Sequence, residues 1–187
     1  PQILVQIEAP TGAALLELIS ENETQIKAFL VQYDRNRLMD VYKESKDPAI
    51  QKEIAAHHQV RLAIPRGYNM DLSKDEYTSV SIESPDLSQV VQVFDYPATG
   101  PEDLNITNII EQRNAITKEY VIGPREGSYM TISSLYEPLV YDLKNNNMDV
   151  VEVRGLGQPR HRHFLRPFIR HSVYDANRGR IVTVDAY

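Results

Sequence analysis

Apolar residues follow a helical period in two long stretches of the chain. From Leu15 to Val41 they recur at roughly helical spacing, with Asn22 as a point where a long helix would bend or split. Leu104 to Tyr120 outlines one face of a second long helix. Between them, Asp47-Pro48 supplies an N-cap followed by proline at the first helical position. This pair predicts a shorter third helix, ending at about His57.

Strand-like segments surround these helices. The density of Ile, Leu and Val in Ile3–Ile7 is typical of a buried strand, and Val60–Pro65 predicts another before a turn or loop at Arg66–Asp71. Tyr77–Ile82 and Val90–Phe94 alternate in polarity on either side of a turn, which predicts an antiparallel hairpin. Five further strands are predicted after the second long helix: Tyr129–Ile132, Leu139–Leu143, Val150–Val153, Phe168–Tyr174 and Ile181–Val184.

This order of elements predicts an α+β fold. We expect a twisted antiparallel sheet with the two long helices on one face, in a ferredoxin-like split β-α-β arrangement extended by a C-terminal meander. Residues 1–187 are expected to form a single domain. The chain begins at Pro1 without an initiator Met and opens and closes in strand-like segments. We therefore expect it to be an excised part of a longer protein.

Charge and composition narrow the classes of function. A formal net charge of -6 and a pI near 5.4 argue against a general surface for nucleic acid or anionic membranes, since both require broad positive potential. There is no cysteine, which excludes disulfides, thiolate metal sites and a cysteine nucleophile. Apolar runs are much shorter than the roughly 20 residues that span a bilayer.

The turn after the second long helix is the most distinctive local pattern. Gly123, Pro124 and Gly127 lie between the helix and the next strand, with Arg125 among them. A glycine-rich turn beside an arginine can bind an anion through backbone N–H groups, but here the negative end of the helix dipole points at the turn. The structural interpretation is that Gly123 caps the helix, Pro124 prevents its continuation and Gly127 supplies a positive φ.

A concentrated basic segment lies near the end of the chain, with no Asp or Glu between Glu152 and Asp175. Its charges would attract phosphate, sulfate, uronate or a carboxylate-bearing partner, although a solvated loop or a charge-protected edge strand has the same composition. The candidate ligand-binding residues are Arg154, Arg160, His161, Arg162, His163, Arg166, Arg170 and His171.

Catalytic and metal chemistry have weaker signals. His161 and His163 share a face of an extended segment and with His171 offer three metal ligands, but neighbouring arginines disfavour a second cation. The serines lack the nucleophile-elbow motif. We therefore predict no catalytic residues, no metal and no cofactor. Four tyrosines lie in the strand-rich half: Tyr129, Tyr136, Tyr141 and Tyr174. Their rings either stack on sugars or on a partner protein, or they are half-buried strand residues.

Three motifs carry a family resemblance: Gly-Pro-Arg-Glu-Gly-Ser-Tyr-Met-Thr at 123–131, Arg-Gly-Leu at 154–156 and Pro-Phe-Ile-Arg-His-Ser at 167–172. With them the chain resembles a domain-of-unknown-function family (DUF4837-like) of cell-envelope lipoproteins typical of Bacteroidetes. The family usually has Trp where this chain has Gly157, and Gly-Gly where it has Leu165-Arg166. The resemblance implies envelope localisation through a lipid anchor absent from this chain, and no established activity.

These observations together predict a non-enzymatic binding or structural module of an envelope lipoprotein. Its expected contact surface is the basic segment, and its expected partner is an anionic ligand or a protein. The alternative is an enzyme acting on an anionic glycan or a phosphorylated substrate, with arginines for binding and His161, His163 or His171 for proton transfer.

Overall fold

The computed structural model describes residues 2–85, 88–123, 126–145, 148–159 and 165–187, without the side chains of residues 145 and 159. These residues divide into two compact units: Pro1–Asp47 with Ala63–Arg66, and Pro48–Leu62 with Gly67–Tyr187. The expectation of a single domain stays a prediction, because compactness does not measure whether a unit folds independently.

The first unit contains two consecutive helices, α1 at Gly12–Glu21 and α2 at Glu23–Ser45. Thr11 caps α1, its Oγ1 accepting from the backbone N–H of Ala14 at 3.2 Å. The predicted interruption at Asn22 is confirmed: this residue ends α1, and its side-chain amide donates to the carbonyl of Leu18 at 2.8 Å. Neither helix contains a buried residue.

Two predicted strands near this unit are wrong. Ile3–Ile7 forms no strand, and Val60–Pro65 contributes only an isolated antiparallel bridge from Pro65 to Lys46. Backbone bonds from Asp47 to Ile64 and from Arg66 to Ser45 flank that bridge. A run of β-branched residues favours an extended backbone, but a strand also needs a partner at the right register.

The second unit contains a curled antiparallel sheet of eight strands. Its helices are α3 at Pro48–His58 and α4 at Ile106–Tyr120, with a short 3-10 helix at Pro101–Asp103. The strands, in chain order, are β1 Asn69–Lys74, β2 Tyr77–Glu83, β3 Ser88–Pro97, β4 Met130–Ile132, β5 Leu139–Asn145, β6 Met148–Pro159, β7 Arg166–Asp175 and β8 Arg180–Ala186.

The spatial order of the strands is β1-β2-β3-β8-β7-β6-β4, and β5 also pairs with β6. All these pairings are antiparallel. The predicted hairpin of β2 and β3, helices α3 and α4, and the strand-rich second half are confirmed. The strand β1 was missed, because part of it lies in the predicted loop at Arg66–Asp71.

The α+β prediction is confirmed at the level of an antiparallel sheet with helices, whereas the ferredoxin-like arrangement is not. Its expected first strand, Ile3–Ile7, is not a strand, so helices precede every strand of the sheet. The packing of two long helices on one face is likewise not confirmed. Within the second unit, α3 and α4 contact opposite faces: the α3 face carries Thr78 and Asp95, and the α4 face carries Thr183 and Asp185.

Each face has its own apolar core. Under α4, one cluster consists of Tyr77, Phe94, Tyr96 and Ile181, and a second gathers Ile109 with Val151, Val153 and Phe168. On the α3 face, Ile50 and Ile54 are buried, as are Val80, Val93 and Val182 of the strands below. A strand between two covered faces loses the simple alternation of polar and apolar residues. Burial of four consecutive residues from Tyr77 to Val80 follows from this position.

Candidate functional site

The residues of the predicted basic segment do not form one surface. Arg160, His161, Arg162 and His163 lie outside the described residues. Arg154 and His171 project from the α3 face of β6 and β7, where both contact Glu152. Arg170 lies on the α4 face and is fully buried. Arg166 is an even number of residues away in β7 and therefore lies on the same face. Strand alternation therefore divides the four described candidates between two environments.

Glu152 holds Arg154 and His171 in place. The Nε of Arg154 donates to Glu152 Oε1 at 2.7 Å, and His171 Nε2 lies 2.7 Å from Oε2. The Glu152 side chain is 6% exposed, whereas those of Arg154 and His171 are each 44% exposed. Burial by itself raises the pKa of Glu152, but hydrogen bonds from His171 and Arg154 bring this pKa below its ordinary value.

Apolar side chains lie around this trio. Tyr141 faces Glu152 across β5 and β6, and the Arg154 guanidinium carbon lies 5.4 Å from its ring centroid. Leu139 pairs with Arg154 in the same ladder, and Leu143 and Met148 lie on the same face of the sheet. All four apolar residues are exposed. We call this patch the Glu152 surface; it comprises Leu139, Tyr141, Leu143, Met148, Glu152, Arg154 and His171.

The predicted tyrosine positions divide in a similar way. Tyr136 and Tyr141 are exposed, so their rings are accessible from solvent. Tyr174 is half-buried and packs against the apolar cluster under α4. Tyr129 is half-buried with Lys118 near its ring. Two of the four tyrosines therefore have the exposure that a stacking role requires.

On the α4 face, one buried carboxylate pairs with Arg113, and its charge also acts on the buried Arg170. Arg113 donates from Nε to Asp185 Oδ2 at 2.6 Å, and its guanidinium lies 4.1 Å from the Phe168 ring centroid. Arg170 donates from Nη1 to the carbonyl of Ile109 at 2.7 Å and lies 4.9 Å from the Phe94 ring centroid. Burial lowers the pKa of Arg170 to about 10. This pKa is still well above neutral pH, so Arg170 stays protonated. Arg113 lies on the apolar stripe of α4, and that position was the sequence signal for its burial.

A second polar network fixes α3 to the other face. His58 Nδ1 lies 2.7 Å from Asp95 Oδ1, and its Nε2 lies 2.9 Å from Thr78 Oγ1. The order carboxylate, imidazole, hydroxyl matches a nucleophilic triad. His58 is fully buried and Thr78 is 1% exposed, so no substrate reaches this hydroxyl. Arg180 adds bonds to Asp95 Oδ2 and to the His58 carbonyl, which makes the network a structural one.

A groove of about 290 Å³ opens beside the first three strands, on the α4 face. Strands β1 to β3 form its floor, and the end of α4 with Tyr187 forms its walls. Its polar lining consists of five hydroxyl groups, one amide and two carboxylates, from Tyr77, Ser79, Ser81, Tyr120, Tyr187, Gln92, Asp71 and Glu83. We call it the β1–β3 groove. Sequence reasoning missed it, because its members come from both ends of the second unit.

The turn after α4 has a defined geometry at its described residues. Helix α4 ends with Val121 as its C-cap, so Gly123 does not cap it. The N–H of Gly123 donates to the carbonyl of Ser128 at 2.7 Å, and a Cβ on Gly123 would collide with the Ser128 side chain. Gly127 has φ +70, a conformation that favours glycine. Pro124 and Arg125 lie outside the described residues.

The described parts of the chain contain no candidate metal cluster and no candidate membrane-spanning helix. In those parts, no three His, Asp or Glu side chains are grouped closely enough to hold a metal ion. Among the same residues, no helix combines the length and apolar character needed to cross a bilayer.

A known protein family matches the part of the chain that contains the second unit. The family model described as "Domain of unknown function (DUF4837)" matches residues 47–187, well over half of the chain. The chain belongs to the DUF4837 family. The family expected from the three motifs is thereby confirmed, and the match includes α3, α4 and every strand of the sheet. A comparison with functionally curated proteins gives no match. Within the DUF4837 region lie both the Glu152 surface and the β1–β3 groove.

Proposed function

We propose that this DUF4837 domain is a non-enzymatic binding module that recognises an acidic protein segment through the Glu152 surface. The observation that supports this proposal is one buried carboxylate that holds both Arg154 and His171 on an exposed sheet face. Pre-oriented charged side chains lose less conformational freedom on binding than free ones do. Arg154 uses its Nε on Glu152, so its terminal nitrogens Nη1 and Nη2 can donate to a carboxylate of the partner.

The apolar members of the surface supply the second half of the recognition. Leu139, Tyr141, Leu143 and Met148 are exposed beside the charged trio. Aromatic, Met and Arg side chains are enriched at the centres of protein interfaces, whereas isolated surface charges are not. The proposed partner segment therefore carries carboxylates spaced by apolar side chains. The envelope lipoprotein context, with a lipid anchor outside this chain, belongs to the same proposal and rests on the family resemblance alone.

The proposal is tested with a peptide of glutamates around one leucine and a lysine peptide of equal length. Backbone amide shifts of the 15N-labelled chain should change in β5, β6 and β7 with the acidic peptide only. The double variant Arg154→Ala with His171→Ala should abolish this change. Arg178→Ala is the matched control, because Arg178 is equally exposed and pairs with Asp175 away from the surface. Equal shifts with both peptides, or in the double variant, would contradict the proposal.

The alternative is an enzyme acting on an anionic glycan or a phosphorylated substrate. The observation in its favour is the carboxylate of Glu152 on His171, since a carboxylate orients an imidazole for proton transfer in many active sites. Turnover of a phosphomonoester or a uronate glycan that disappears in His171→Ala while binding persists would favour this alternative. Binding lost together with the charge, without turnover in the wild type, would favour the binding module.

A further inference from the structure

The geometry points to a binding site for an alkylammonium group in the β1–β3 groove, separate from the Glu152 surface. The first observation is a fully buried amide on the groove floor. Gln92 is 0% exposed, and its Nε2 donates to the hydroxyl of Tyr187 at 3.0 Å. Its Oε1 has no hydrogen-bond partner. A buried carbonyl oxygen without a donor costs free energy, which a ligand with N–H groups would recover.

The second observation is the charge of the lining. Asp71 and Glu83 place carboxylates at the groove, and no Lys or Arg occurs among the described residues that line it. A register shift between Met70 and Leu72 leaves Asp71 at a bulge of β1, which re-aims its side chain. Asp71 Oδ1 accepts from Ser81 Oγ at 2.8 Å, so the carboxylate is held in place. The fixed charges of this groove favour a cation.

The hydroxyl groups of the groove act in the same direction. Tyr187 has a pKa raised to about 12, first by burial and then by the charge of Asp185. Burial likewise raises the pKa of Tyr77. Both phenols therefore stay neutral at physiological pH and present oxygen lone pairs to a donor. An ammonium group has three donors and no acceptor, which suits a site with more acceptors than free donors.

The size and the apolar wall define the rest of the ligand. At about 290 Å³ the groove is at the lower end of the range for small-molecule sites. Val90, Val121 and Ile122 line it together with the polar groups. Methylene groups of a short unbranched chain would contact this wall. The chemistry is that of a primary alkylamine, either as a free molecule or as a lysine side chain of a peptide.

The test compares 1,5-diaminopentane with 1,5-pentanediol, which has the same length and no charge. Calorimetry and amide shifts of the full chain should detect binding of the diamine and none of the diol. Asp71→Asn and Glu83→Gln should each weaken binding by about two- to fivefold, as expected for a partly exposed ion pair. Gln92→Leu should weaken it by about tenfold or more, because it removes a buried acceptor.

Asp71→Asn and its control Asp149→Asn test the proposal even if Gln92→Leu fails to fold. Asp149→Asn removes an exposed carboxylate far along the sheet, in an ion pair with Lys144, and should bind the diamine like the wild type. Equal binding of diol and diamine, no binding of the diamine, or identical affinity in the wild type and Asp71→Asn would overturn the proposal. N-acetyl-lysine amide separates the sources: binding comparable to the diamine indicates a peptide side chain, and binding of the diamine alone indicates a free amine.

Discussion

Arg170 and His171 are consecutive residues of β7, and their side chains lie in different environments on opposite faces of the sheet. Arg170 is fully buried under α4, with Nη1 donating to the carbonyl of Ile109, whereas His171 is partly exposed beside Glu152. Neighbouring residues of a strand point in opposite directions, so a run of positive charge along a strand cannot form one surface. The binding proposal therefore rests on Arg154 and His171 and excludes Arg170.

Asp185→Asn is expected to destabilise the fold strongly. This carboxylate is fully buried and accepts from Arg113 at 2.6 Å, and its charge also favours the protonated form of Arg170. Removing it leaves the buried Arg113 without its ion-pair partner and takes away a charge that favours protonated Arg170, so the expected loss is about 3–5 kcal/mol in the free energy of unfolding. Urea denaturation followed by circular dichroism measures the change.

The matched comparison for that variant is Asp149→Asn. Asp149 also pairs with a cation, but both partners are 80% exposed, so solvent screens the pair and little stability depends on it. If the urea midpoints of the two variants shift equally, the buried charge cluster is not the source of the loss.

Glu152 should make stability depend on acidity. Its pKa in the folded chain lies below the ordinary value of 4.5, where an unfolded glutamate titrates. As the pH falls, the unfolded state therefore binds a proton before the folded state does. The contribution of Glu152 to stability is present above about pH 4.5 and is lost as the pH falls through the pKa of the folded chain. We expect the stability difference between the wild type and Glu152→Gln to be greatest near neutrality and to vanish in acid.

Urea denaturation at several pH values checks this expectation. Arg154→Ala and His171→Ala each remove one hydrogen bond from Glu152, so each should reduce the difference partway. A difference between the wild type and Glu152→Gln that stays constant with pH would show that Glu152 does not titrate differently in the folded state.

Gly155→Ala should destabilise the α4 face by overpacking. Gly155 pairs with Phe168 across β6 and β7, and an added Cβ would lie 2.8 Å from two carbons of that ring. The ring is buried and stacks on Arg113, so it cannot move without disturbing the Asp185 cluster. The expected loss is about 1–3 kcal/mol in the free energy of unfolding.

Two further variants test the cause of that loss. Gly12→Ala adds the same methyl at a site with nothing within 4 Å and should leave stability nearly unchanged. Phe168→Leu combined with Gly155→Ala makes room beside the new methyl. The double variant should therefore lose less stability than the sum of the losses in the two single variants. Simple additivity would show that the collision with Phe168 is not the mechanism.

The sequence predicted the elements whose signals are local. Helix α3 follows from Asp47-Pro48, the break at Asn22 from the poor helix propensity of that residue, and the β2–β3 hairpin from alternation around a turn. Ile3–Ile7 was wrong for the complementary reason. Its residues favour an extended backbone, but no strand among the described residues pairs with them, and pairing depends on distant parts of the chain.

By itself, the sequence determined that Arg154 and His171 are candidates for contact, because guanidinium and imidazole groups carry that chemistry wherever they lie. Only the tertiary structure decided that Glu152 holds both, that Arg170 is buried with Arg113 and Asp185, and that Gln92 lines a groove with Tyr187. Gln92 and Tyr187 are far apart in the chain and meet through the pairing of β3 with β8. Such contacts are set by strand order and register, which no local pattern of residues specifies.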